Sequence, residues 1–148
     1  MIAIGSDHGG FKLKAEVIKY LNTNGYEIKD FGTYNEESVD YPDFGLAVAE
    51  AVKNGECERG IVICGTGIGI SVAANKVPGI RAALCTDSYM AKMSREHNDA
   101  NILAFGERVV GTGLALDIVD TWLKTAFAGD RHKARLNKVS MIEAKYTK

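Results

Sequence analysis

Ile61-Val62-Ile63-Cys64-Gly65-Thr66-Gly67-Ile68-Gly69 is the stretch that decides the fold of this chain. Its first four residues are apolar, three of them β-branched, and offer no polar face to water. Such a run predicts a central strand covered on both sides. Three alternating glycines follow, and a helix is expected from about Ile70 to Lys76. Strands covered on both faces occur where helices flank a parallel sheet, so the neighbouring sequence should alternate strand and helix.

It does so in both directions. Upstream, Met1–Ile4 reads as a buried strand and Tyr26–Phe31 as an alternating strand nearer the edge. Between them, Phe11–Asn22 places Leu13, Val17, Ile18 and Leu21 on one helical face. Gly45–Lys53 is a second helix, rich in Ala and Val. Downstream come strand Arg81–Cys85, helix Ser88–Arg95, strand Ile102–Phe105, helix Leu114–Phe127 and a final helix over Arg131–Ala144. The predicted fold is α/β: a three-layer, Rossmann-like sandwich with a five-stranded parallel sheet flanked by helices and an extra C-terminal helix. Right-handed crossovers are assumed. The 148 residues suit one domain, 1–148.

Composition narrows the function classes. A net charge of −1 offers nothing to nucleic acid or a membrane surface, so any anion site must be local. No stretch approaches the roughly 18–20 apolar residues of a membrane span. Met1–Gly5 reads as a strand rather than a signal peptide. Cys57, Cys64 and Cys85 form no CxxC pair and no zinc spacing, so no metal is expected. Sparse free thiols suit a reducing cytoplasm.

In open α/β sheets, ligands bind beyond the carboxyl ends of the strands. Asp7-His8-Gly9-Gly10 and Cys64–Gly69 both fall there. The glycine turn presents bare backbone N–H groups, which favour an anion. It is no Walker A loop, and Ile70 stands where a dinucleotide turn needs its third glycine. Asp87 nevertheless lies about where a ribose-binding acid belongs. An anion site, a nucleotide-binding module and a plain structural turn therefore all remain open. Cys64 reads either as a small core hydrophobe or as a general base, because oriented amides at a strand end favour a thiolate. Thr66 beside it can donate to a developing oxyanion. Cys57 and Cys85 read as core.

Asp130 predicts a helix cap, which puts Arg131 in the first turn of the last helix. Cations there oppose the helix dipole by about 0.3–1 kcal/mol each. Arg131 and Arg135 share a face, with Lys138 continuing the stripe, and a phosphate between the guanidiniums would relieve the conflict. A solvated basic face is the plain alternative. His97-Asn98-Asp99 ends a helix, near the opposite sheet edge from Cys64. Tyr41-Pro42-Asp43 reads as a helix start carrying an aromatic lid.

Taken together these residues resemble the ribose-5-phosphate isomerase B family, which includes galactose-6-phosphate and allose-6-phosphate isomerases. The resemblance is carried by Gly5–Phe11, Asp40–Asp43, Cys64–Lys76, Ser94–Asn101, Leu103–Gly106, Arg108–Gly111 and Asp130–Arg135, in the family's order. It implies a flavodoxin-like sheet, a sugar-phosphate substrate, no cofactor, and a homodimer or dimer of dimers with sites shared between subunits. It implies Cys64 as the base, Thr66 as helper at an enediolate, and His97 with Asp7 in sugar-ring opening. The N–H groups from Gly65 through Gly67 and Ile68 to Gly69 would form the anion hole. His8, Arg108, Arg131 and Arg135 would hold the phosphate, Asn98 a substrate hydroxyl, and Tyr41 would line the site. Some members use a glutamate further along the turn; Ile70 stands at its place here, which leaves the work to Cys64.

Overall fold

The apolar run quoted above forms strand β3 (Arg59–Cys64) in the middle of a five-stranded parallel sheet. The computed structural model describes residues 1–147. Around β3 lie β1 (Ile2–Ser6), β2 (Ile28–Asp30), β4 (Ala82–Leu84) and β5 (Ile102–Gly106), in the order β2-β1-β3-β5-β4. Successive side chains of β3 serve two different cores, as the period of two requires. Ile61 and Ile63 pack with Leu13, Val17, Phe105 and Trp122, under α1 (Phe11–Thr23), α4 (Ser88–Glu96) and α5 (Thr112–Lys124). Val62 and Cys64 pack with Val48, Ala49, Ile70 and Ala104, under α2 (Tyr41–Lys53) and α3 (Ile68–Ala74). The expected three-layer α/β sandwich is the observed one.

Strand order departs from the flavodoxin sequence 2-1-3-4-5. Here β5 sits beside β3, and β4 takes the edge. Burial explains the exchange: every residue of β5 is buried, whereas the three of β4 are only half-buried. Several boundaries also shift. α2 starts at Tyr41 instead of Gly45, with Pro42 in a first turn that needs no N–H from it. α5 stops at Lys124 rather than Phe127, because Thr125 turns extended.

The last helix, α6 (Arg131–Tyr146), is exposed along most of its length, and His132 is its one buried residue. Val139, Met141, Ile142 and Tyr146 are all exposed on it. Among the described residues, no helix is long and apolar enough to cross a membrane.

Candidate active site

β1 and β3 are neighbours whose chains leave towards opposite sides of the sheet, β1 to β2 and β3 to the β4 edge. A crevice opens at the carboxyl ends of such a pair. Asp7 follows β1 and Cys64 ends β3, so both border it.

Cys64 is buried, and its Sγ accepts a hydrogen bond from the Gly67 N–H at 3.1 Å. That bond requires the turn to fold back on itself, which Gly67 permits with φ at +82°. A donated N–H stabilises negative charge on sulfur more than it stabilises a neutral thiol. The Thr66 hydroxyl accepts from the Ile68 N–H at 3.2 Å, which leaves its own proton to donate. β5 braces the turn from beneath. A methyl group on Gly106 would lie 2.3 Å from the Thr66 backbone, so only glycine lets the two segments pass. The other two thiols behave as core: burial pushes Cys57 up and Cys85 up to about 11.

Asp7 is buried, and its Oδ1 accepts from the Gly10 N–H at 3.2 Å, capping the short 3-10 turn His8–Gly10. His8 Nδ1 accepts from the Val39 N–H at 3.1 Å. In the neutral ring the proton then sits on Nε2, which is thereby set as a donor. Arg108 donates its backbone N–H to the Gly65 carbonyl at 3.0 Å, and its guanidinium lies over Gly65. Tyr41 covers Gly69 so closely that a methyl group there would meet the ring at 2.7 Å. The first turn of α2 thus carries the Tyr41 ring over the end of the glycine turn.

The protomer brings Asp7, His8, Tyr41, Cys64, Gly65, Thr66, Gly67, Ile68, Gly69 and Arg108 to this edge. It does not bring His97, Asn98, Arg131 or Arg135 there. His97 ends α4, and the residues after it pair with the start of the sheet: the Gly60 N–H donates to the Asn101 carbonyl at 3.0 Å. The five residues of β5 separate the two groups by about 16 Å. At that far edge the loop is held firmly. Arg81 Nε donates to the Asn98 carbonyl at 3.0 Å, and Arg95 Nη1 reaches Asp99 Oδ1 at 2.9 Å and the Ala100 carbonyl at 2.6 Å. Asp99 itself adopts φ +46°. The Ala128 N–H donates to the Glu96 carbonyl at 3.0 Å, which ties the approach to α6 onto the end of α4.

Sequence reasoning does not single out His132. Its ring stacks on that of His97, with centroids 4.2 Å apart and planes inclined by 15°. The only signal is its place between Arg131 and Arg135, out of phase with their stripe. Arg131 and Arg135 are exposed beside it.

The nucleotide reading loses its support. Asp87 caps α4, its Oδ1 accepting from the Met90 N–H at 2.8 Å, and Ile70 is fully buried where a glycine would be needed. Among the described residues, no three His, Cys, Asp or Glu side chains converge as a metal site would need.

Known proteins carry the same architecture. The solved structure of ribose-5-phosphate isomerase B from Clostridium thermocellum superimposes with a TM-score of 0.98 at 73% identity, covering 99% of each chain. Ribose-5-phosphate isomerase B of Escherichia coli strain K12 is 52% identical over 142 residues, 96% of this chain and 95% of its own. D-erythrulose-4-phosphate isomerase of Pectobacterium atrosepticum is 41% identical over 144 residues, 96% of this chain and 94% of its own. The family model described as Ribose/Galactose Isomerase matches residues 2–139, and with that extent and those identities the chain belongs to the ribose/galactose isomerase family.

Proposed function

We propose that this protein is a cofactor-independent aldose–ketose isomerase that interconverts ribose 5-phosphate and ribulose 5-phosphate, acting as one domain. The observation that carries the reading is the bond from the Gly67 N–H to Cys64 Sγ, which fixes the sulfur against the backbone donors of the glycine turn. The names of the Clostridium thermocellum and Escherichia coli relatives support the substrate.

In this reading His97 and Asp7 open the sugar ring: one takes the proton from the C1 hydroxyl and the other protonates the ring oxygen. Cys64 then removes the proton from C2. The C2–H electron pair forms the C1–C2 double bond of a cis-enediolate, and the carbonyl pair moves onto O1. The Thr66 hydroxyl and the N–H groups of the Gly65–Gly69 turn stabilise that oxyanion; one well-placed donor is worth about 2.7–4 kcal/mol. The O2 proton passes to O1, and Cys64 returns its proton to C1. The product is the ketose, with no net gain or loss of protons. His8 Nε2–H, Arg108, Arg131 and Arg135 hold the phosphate, Asn98 holds a hydroxyl, and Tyr41 covers the sugar. Anchoring the far end lets binding energy fix the reacting carbons against sulfur.

The separation of the two residue groups within a protomer supports a shared site. A two-fold homodimer that sets one subunit's His97 loop against its partner's Cys64 turn makes two equal composite sites. The exposed apolar residues of α6 give a second copy a surface to cover.

The test is hydrogen exchange at C2 of ribose 5-phosphate in deuterated water, followed by NMR. Enzyme-dependent ribulose 5-phosphate formation is the expected result, with deuterium entering to the extent that the Cys64 proton exchanges with water; no ribulose 5-phosphate formation overturns the reading. The Pectobacterium atrosepticum relative, named for a four-carbon ketose phosphate, favours a second reading in which chain length differs. Comparing kcat/KM across four-, five- and six-carbon sugar phosphates decides between them.

A further inference from the structure

We propose that His132 is a positioning residue for His97, holding that imidazole by stacking so that it meets the sugar's ring oxygen in a single orientation. The inference rests on the isomerase reading above. The backbone at His97 is already restrained by Arg81, Arg95 and Ala128, through the bonds to Asn98, Asp99, Ala100 and Glu96. None of these sets the direction of the His97 ring. The stack with His132 does, at 4.2 Å and 15°.

His132 is suited to that task in three ways. It is the one buried residue of α6, so its own ring has little freedom. Burial, then the His97 ring, then Arg131 and Arg135 hold its pKa below the usual histidine range, with Glu96 acting weakly the other way. Those same groups favour the neutral ring of His132 beneath His97. Finally, it belongs to the same helical turn as Arg131 and stands three residues before Arg135. In ribose 5-phosphate only C4 and C5 separate the ring oxygen from the phosphate ester oxygen. A rigid block carrying both the phosphate arginines and the His97 support matches that short, fixed spacing.

The experiment uses the whole protein as it assembles, and two reactions. Turnover of ribose 5-phosphate requires ring opening. Exchange of the C1 hydrogen of ribulose 5-phosphate with deuterated water does not, because that ketose is open-chain. His132→Ala should slow ribose 5-phosphate turnover by about 10–100-fold, the scale of a misplaced catalytic group, while ribulose exchange stays within about twofold. His132→Phe, which keeps a flat ring, should recover most of the turnover. In a His97→Ala background, His132→Ala should remove nothing further. Equal losses in both reactions, or no loss in either, overturn the positioning role. Wild-type protein that converts neither sugar phosphate into the other overturns the isomerase reading itself.

Discussion

The imidazole of His132 lies flat against that of His97 and joins α6 to the end of α4. Protonating His132 would place a cation under the His97 ring, between Arg131 and Arg135. Its pKa is therefore held down, first by burial and then by those three groups. A lowered histidine pKa means that the unfolded chain binds the proton more readily. The contribution is intact above the unfolded value, about 6.5, and is lost as pH falls below it. Melting temperature should therefore decline from pH 7 towards about pH 5 through this group, and His132→Phe should flatten that slope. An unchanged slope in the variant excludes His132 as the source.

Cys64→Ala should abolish isomerisation and leave sugar-phosphate binding nearly intact. In the proposed mechanism the sulfur acts on a C–H proton and makes no contact with the phosphate. Loss of a base lowers rate by about 10²–10⁴. Turnover measured beside the Kd of a phosphorylated inhibitor checks this, and a variant within a few-fold of normal turnover removes Cys64 from the role.

Arg131→Ala or Arg135→Ala should raise KM for phosphorylated sugars far more than for free sugars. Both side chains are exposed in the protomer and stand four residues apart on one face of α6. Taking one guanidinium away from a desolvated phosphate would weaken binding by about 2–5 kcal/mol. Equal effects on both substrate types would assign the stripe to solvent.

Mixing Cys64→Ala and His97→Ala proteins should restore activity that neither has alone. A heterodimer would hold one intact site and one doubly damaged site. After random exchange, about a quarter of wild-type activity should return. If labelled subunits exchange and no activity appears, the two residues work within one chain and the shared-site geometry is wrong.

Much of this molecule can be read from patterns a few residues long. The run Ile61–Cys64 announces a strand buried on both faces, and its period of two sends Ile61 and Ile63 to one core and Val62 and Cys64 to the other. The order of the last two strands cannot be read that way. β4 and β5 are both short apolar segments, and only burial against β3 and α5 distinguishes an edge from a centre. The candidate site is legible where residues lie next to one another, as in Cys64–Gly69. Pairings between distant segments are not: the Tyr41 ring over Gly69, Val39 bonding His8, and the brace of Gly106 under Thr66 all depend on docking. His132 is the clearest case, since its partner lies 35 positions away and its own helix is otherwise exposed.

In the proposed homodimer, the bareness of α6 bears on what becomes of an unassembled subunit. Sixteen residues with one buried side chain make a helix that is marginal on its own in water. Without a partner over Val139, Met141, Ile142 and Tyr146, this helix would fray and present a cleavable backbone. Proteases would then trim orphan subunits and spare assembled ones. Dilution followed by limited digestion would sort the two populations by where the chain is first cut.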